Sequence, residues 1–207
     1  TDTLAVVLSD GAGTTDSVTI TVTVTGANDA PTSSVGSESG TEDTTYTYAV
    51  SDFPYTDVDG GDSALVSITI TVLESAGVLQ SSTDGSNYAD VVANDVILNA
   101  NIQYLRLAPV ADATADITFS FKVSDSDTAS ANAYVMTTSF SAVNDAPTVD
   151  NAQADQAVNE DAALGGSGYV VPADTFTDTE GTACTYTSTQ VDGSALPSWL
   201  TFTAGTR

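Results

Sequence analysis

The chain has 207 residues, 28 of them acidic against three basic, with no histidine and a formal net charge of −25. Three cations cannot build the phosphate-displacing footprint of a nucleic-acid binder, and an anionic bilayer repels such a chain, so both partners are excluded. Without histidine, Ser–His and Cys–His catalysis is impossible, and a single cysteine, Cys184, cannot form an internal disulfide.

The apolar fraction of 41% is that of an ordinary globular chain, so the acidic excess sits on a sequence able to bury a core. Carboxylate and carbonyl oxygens in such number suit a hard cation such as Ca²⁺. No apolar run is long enough to cross a bilayer, so direct membrane insertion is not expected.

In chain order, Val18, Ile20, Val22 and Val24 alternate with Thr19, Thr21, Thr23 and Thr25. That period of two predicts a strand with one buried and one wet face. Tyr46, Tyr48 and Val50 form a further candidate inner face. Val66–Val72 and Ile117–Val123 repeat the alternation, which turns Lys122 outward. Val91–Ala100 is the nearest approach to a helical turn, and it is short. Cys184, within Ala183–Tyr186, reads as a strand residue with a buried, inert thiol. Turn signals separate these runs at Asp10-Gly11, Asp59-Gly60-Gly61 and Asp84-Gly85. Many short strands with regular turns predict an all-β fold, an antiparallel sandwich of immunoglobulin-like type.

The chain also repeats. Asn28-Asp29-Ala30-Pro31-Thr32 recurs as Asn144-Asp145-Ala146-Pro147-Thr148. Leu8-Ser9-Asp10 precedes the first copy as Val123-Ser124-Asp125 precedes the second. Glu42-Asp43 and Asp57-Val58-Asp59-Gly60 follow the first as Glu160-Asp161 and Asp178-Thr179-Glu180-Gly181 follow the second. Four features in one order at near-equal spacing mark a tandem array. Residues 1–27 then read as the last two strands of a truncated domain, 28–143 as a complete domain, and 144–207 as the first part of another.

Each repeated acidic motif falls at a strand end or linker, where a sandwich gathers its loops. The linker proline stiffens the presentation of the preceding Asp and its carbonyls. Asp10, Asn28, Asp29, Glu42, Asp57 and Asp59 are assigned to the first joint. Asp125, Asn144, Asp145, Glu160, Asp178 and Glu180 are assigned to the second. Ca²⁺ takes six to eight oxygens at about 2.3–2.6 Å, and such sets can supply them. One acidic residue alone is a solvated turn; the repeated set points to calcium.

Gly26-Ala27-Asn28-Asp29-Ala30-Pro31 and Ala142-Val143-Asn144-Asp145-Ala146-Pro147 resemble the linkers of bacterial cadherin-like repeats, including the VCBS type of giant secreted adhesins. Leu105-x-Leu107-x-Pro109 with Phe119-x-Phe121-x-Val123-Ser124-Asp125 resembles the same group. The stretch from Asn159-Glu160-Asp161 through Leu196-Pro197-Ser198-Trp199-Leu200-Thr201-Phe202 resembles the dystroglycan-type cadherin-like, immunoglobulin-like bacterial domain. The resemblance implies calcium at interdomain joints and a role in adhesion, biofilm cohesion or polysaccharide contact. It implies an extracellular or cell-surface location, with neighbouring repeats of the same protein as partners and homophilic or polysaccharide contacts beyond them. The extra Asp and second Asn of animal cadherin linkers are absent, which leaves the number of ions per joint open.

No catalytic constellation is expected, because the paired carboxylates sit in turns and linkers rather than an aromatic cleft. Trp199 reads as a core residue, as do Tyr46 and Tyr48. Two other readings stay open: a carbohydrate-binding module using surface tyrosines, and a filament subunit whose closing strands complete another copy.

Overall fold

The computed structural model describes residues 1–13, 15–59, 64–159, 161 and 168–204. Alternation of β-branched and aromatic residues with Ser and Thr gives thirteen described strands and almost no helix. They are β1 (Asp2–Ser9), β2 (Thr15–Val22), β3 (Gly36–Thr41), β4 (Tyr46–Thr47), β5 (Ser67–Val72), β6 (Val78–Ser81) and β7 (Ala89–Asp90). Then come β8 (Val96–Leu98), β9 (Arg106–Ala108), β10 (Ile117–Ser124), β11 (Tyr134–Ser141), β12 (Thr148–Val149) and β13 (Phe176–Thr177). The Val91–Ala100 stretch runs through a turn into β8 and the start of a one-turn helix, α1 (Asn99–Ile102).

Residues 36–141 form an immunoglobulin-like sandwich of a five-stranded sheet, β3-β11-β10-β5-β8, and a four-stranded sheet, β4-β9-β6-β7. All pairings are antiparallel except that of β3 with β11. One core joins the sheets: Ile68, Ile70, Phe119, Phe121 and Met136 from the larger, Leu79 and Leu107 from the smaller. Tyr48 stacks edge-on against Phe119, and Phe53 against Phe121. The Tyr48 hydroxyl meets Thr138 Oγ1 at 2.7 Å, so that both buried hydroxyls are paired.

The parallel edge has a steric cause. Two of the three inward positions of β3 are Gly36 and Gly40, opposite Met136 and Phe140. A Cβ at Gly36 would lie 2.4 Å from the Met136 methyl, and one at Gly40 would lie 3.0 Å from the Phe140 ring. The missing side chains therefore let β3 lie against β11 without displacing the core. Gly77 is required more strictly, with a left-handed φ of 70° and a virtual Cβ 2.3 Å from the Ala108 carbonyl oxygen.

β1 and β2 form a separate antiparallel hairpin with Leu4 opposite Ile20 and Val6 opposite Val18. Beyond the second linker, β12 pairs with β13. The Thr148–Thr177 pair there repeats the Thr32–Thr56 bridge that follows the first linker.

Several expectations need correction. Val50 is exposed in a 3₁₀ turn (Val50–Asp52), because a capping carboxylate from Asp52 bends the chain there. Cys184 is half-buried outside any named strand. Trp199 is 76% exposed, because no described strand packs over residues 178–204. Gly60 and Gly61 lie outside the described residues. Lys122 does point outward, with its ammonium donating to the Ala131 carbonyl at 3.1 Å.

Phe121→Ala should destabilise the sandwich by about 3–5 kcal/mol, since a fully buried ring leaves a cavity against Phe53. Urea denaturation followed by tyrosine fluorescence measures it.

Candidate metal centre

Parallel pairing of β3 with β11 sends both strands out at the same end of the sheet. Glu42, one residue past β3, therefore arrives beside the linker that follows β11. Its backbone N–H donates to the Ser141 carbonyl at 3.0 Å, and its Oε1 accepts from the Val143 N–H at 2.8 Å. The side chain is 1% exposed, and Oε2 is buried without a hydrogen-bond partner. A buried lone carboxylate oxygen is costly unless a cation or proton meets it.

Two groups of three carboxylates converge there, among the described residues. Glu42, Asp145 and Glu180 each bring an oxygen within 4.8 Å of the other two, and Asp43, Asp112 and Asp145 do the same. Asp145 is shared, and its Oδ2 is likewise buried and unpartnered. A hydrogen bond that the protonated Asp145 carboxyl donates to Asp112 holds its pKa above the ordinary value. Burial and the charges of Asp43, Asp112 and Glu180 add to the shift. Asp43 and Asp112 take left-handed backbone conformations, φ 59° and 58°, and Asp161, the repeat counterpart of Asp43, takes φ 61°. Such conformations cost about 1 kcal/mol each in a non-glycine residue.

The first linker shows the same local geometry. Asn28 Nδ2 donates to the Asp29 carbonyl at 2.9 Å, as Asn144 Nδ2 does to the Asp145 carbonyl at 3.0 Å. The Asp29 N–H meets Asp59 Oδ2 at 2.6 Å, as the Asp145 N–H meets Glu180 Oε2 at 3.1 Å. Asp57 Oδ1 accepts from the Asp59 N–H at 2.7 Å while its Oδ2 is buried and unpartnered. Asp178 Oδ1 accepts from the Thr182 N–H at 2.8 Å. Asp10 is exposed, with Oδ1 accepting from the Ala12 N–H at 2.8 Å. Glu160 lies outside the described residues.

The sequence grouping needs correction at two positions. Glu42 lies at the second linker, not the first, because β3 runs parallel to β11. Asp125 lies at the first linker, not the second, with Oδ2 3.4 Å from Asn28 Nδ2, because antiparallel β10 ends where the module begins. Backbone N–H donation from Thr128 leads the causes that depress the Asp125 pKa. Asp43 and Asp112 were not among the predicted ligands. Asp43 stands in the repeated Glu-Asp pair, which could have flagged it; Asp112 has no counterpart in either repeated motif.

The residues fit a hard divalent cation. All side-chain donors are carboxylate oxygens, and an ion would neutralise the mutual repulsion of Glu42, Asp43, Asp112, Asp145 and Glu180. The fold is that of immunoglobulin-like sandwiches, a class whose members are typically binding and structural modules rather than enzymes. Residues 146–207 match the family model described as Putative Ig domain. No curated protein and no solved structure matches the chain.

Because its folded pKa is raised, Asp145 binds a proton more tightly in the native state, so its contribution to stability rises as pH falls. Asp145→Asn should therefore melt higher than the unaltered chain in EDTA at neutral pH, and lower in saturating Ca²⁺. Paired thermal melts show the reversal.

Proposed function

We propose that the chain is a calcium-stiffened spacer or adhesion segment of an extracellular tandem-repeat protein. The carrying observation is Glu42: fully buried, one oxygen bound to the linker backbone, the other without a partner, and the carboxylate within 4.8 Å of those of Asp145 and Glu180. Its oxygens belong to the sandwich, those of Asp145 to the linker, and those of Glu180 to the segment beyond. An ion held by all three ties the linker to both sides.

When bound, Ca²⁺ supplies positive charge and oxygen coordination at the hinge. The chain's own residues do the rest. Glu42 fixes Val143, the Asn144 amide fixes the Asp145 carbonyl, and Glu180 fixes the Asp145 N–H. Asp145 also belongs to a second triad with Asp43 and Asp112, which offers a further set of oxygens at the same joint. Extracellular modules bind calcium at about 10⁻⁴–10⁻³ M, and such a site is filled outside a cell. Partners are then neighbouring repeats, with adhesion exerted through homophilic or polysaccharide contacts.

Small-angle scattering with and without EDTA tests the strut. In calcium the maximum dimension should lengthen and the distance distribution sharpen; an unchanged profile would refute the reading. Calorimetric titration should find Glu42→Gln weakening Ca²⁺ binding by about tenfold or more, a loss of about 1.4 kcal/mol.

A further inference from the structure

The first linker leads into β3, and β11 leads into the second. These two strands pair in parallel, Gly36–Thr41 against Met136–Ser141. The chain therefore enters β3 beside Met136 and leaves β11 beside Thr41, at opposite ends of one ladder. Tension arriving through both linkers draws the strands in opposite directions along their own axes. Evenly spaced ladder bonds loaded in this way carry the force together, whereas strands parted from one end lose them singly.

The side chains oppose the same slide. Tension moves β3 toward its own N-terminus relative to β11. A shift of two residues, about 6–7 Å, brings Glu38 opposite Met136 and Glu42 opposite Phe140, where Gly36 and Gly40 now stand. A Cβ at those places lies 2.4 Å from the Met136 methyl and 3.0 Å from the Phe140 ring. Met136 and Phe140 are both buried, so neither can swing aside without opening the core. Past the last pair, Glu42 adds two bonds to the exit of β11, from its N–H to the Ser141 carbonyl and from the Val143 N–H to its Oε1. The attachment ahead of β3 is slighter, a two-bond bridge between Thr32 and Thr56 at 2.8 and 2.9 Å. It can yield without unseating β3.

We propose that the β3–β11 pair is the load-bearing clamp of the sandwich, a ladder sheared by tension and locked by Met136 and Phe140 seated over Gly36 and Gly40. The clamp rests on the spacer reading only in that tension must reach it through the linkers. It lies within the sandwich and needs no ion.

Single-molecule force spectroscopy on the full chain tests it, in a Cys184→Ser background so that handles attach only at introduced thiols. Ser34→Cys with Ala142→Cys puts the handles at opposite ends of the pair and loads it in shear. Thr44→Cys with Ala142→Cys puts them at one end and unzips it. All three positions are exposed. Forced unfolding is governed by the unfolding rate, so at one pulling speed the two forces compare the directions of loading. In EDTA as in Ca²⁺, shear should require at least twice the force of unzipping, and a ratio below two overturns the clamp. Glu38→Gly deletes the side chain that sliding drives onto Met136 and should lower the ratio; an unchanged ratio overturns the lock. Because the ratio is read in EDTA, it stands or falls apart from calcium at the joint.

Discussion

The direction in which β3 pairs with β11 determines where the acids of this molecule meet. An N-terminal strand paired antiparallel to β11 would carry Glu42 to the far end of the sheet, beside Asn28. Paired parallel, it carries Glu42 past Ser141 to Val143 and into the group that includes Asp145. A one-residue slip would turn the whole strand over, because side chains alternate with period two. The register is held by Gly36 and Gly40, whose missing side chains admit Met136 and Phe140. Two glycines and a methionine on one edge thus set the geometry of a carboxylate cluster several residues away.

The charge is distributed to permit this. The five strands of the larger sheet contain a single acidic residue, Glu38, and it lies on the inward parity beside the Tyr46 hydroxyl, 2.7 Å away. Burial, followed by this hydrogen bond, pushes the Tyr46 pKa well above the usual phenol range. The outward positions are Ser and Thr for the most part, with Lys122 the one charge. Carboxylates are therefore concentrated in turns and linkers, where strands end and backbone N–H groups are unpaired. Asp84 shows the benign outcome: it accepts N–H bonds from Ser86 and Asn87, and its pKa falls. At the second linker too few donors are present, and Glu42 and Asp145 keep bare oxygens.

How far the sequence could be read follows from the kind of information each feature needs. The alternation in Ile117–Val123 and Val66–Val72 identified strands of the core almost to the residue, since one face is buried and register permits no other reading. The duplicated linker likewise located Asn28, Asp29, Asn144 and Asp145, and their local hydrogen bonds agree in the two copies. Partner choice was not legible. Spacing along the chain records that Glu42 follows Asn28 but not that a parallel edge moves it to the next linker. Asp112 joined the cluster from the β9–β10 loop, which neither repeated motif includes. Trp199 and Cys184 were misread for a related reason: a strand-like pattern buries its apolar side only where other strands cover it.

Exchange of Glu42 and Asp125 between the two joints has a mechanical consequence. Each linker is contacted by a turn of the module that follows it. At the second linker, Glu42 comes from the start of the preceding sandwich and Glu180 from the segment after the linker, so the joint samples both bodies. At the first, Asp59 and Asp125 both belong to the following sandwich, and Asp29 and Asn28 rest on it directly. The backbone of each linker is thus anchored to the module downstream even without an ion. At the second linker Glu42 also ties the Val143 backbone to the upstream sandwich, and the proposed ion would extend that tie to Asp145 and Glu180. On the proposed reading, the stiffness of that joint depends on an ion held between Glu42 and Glu180.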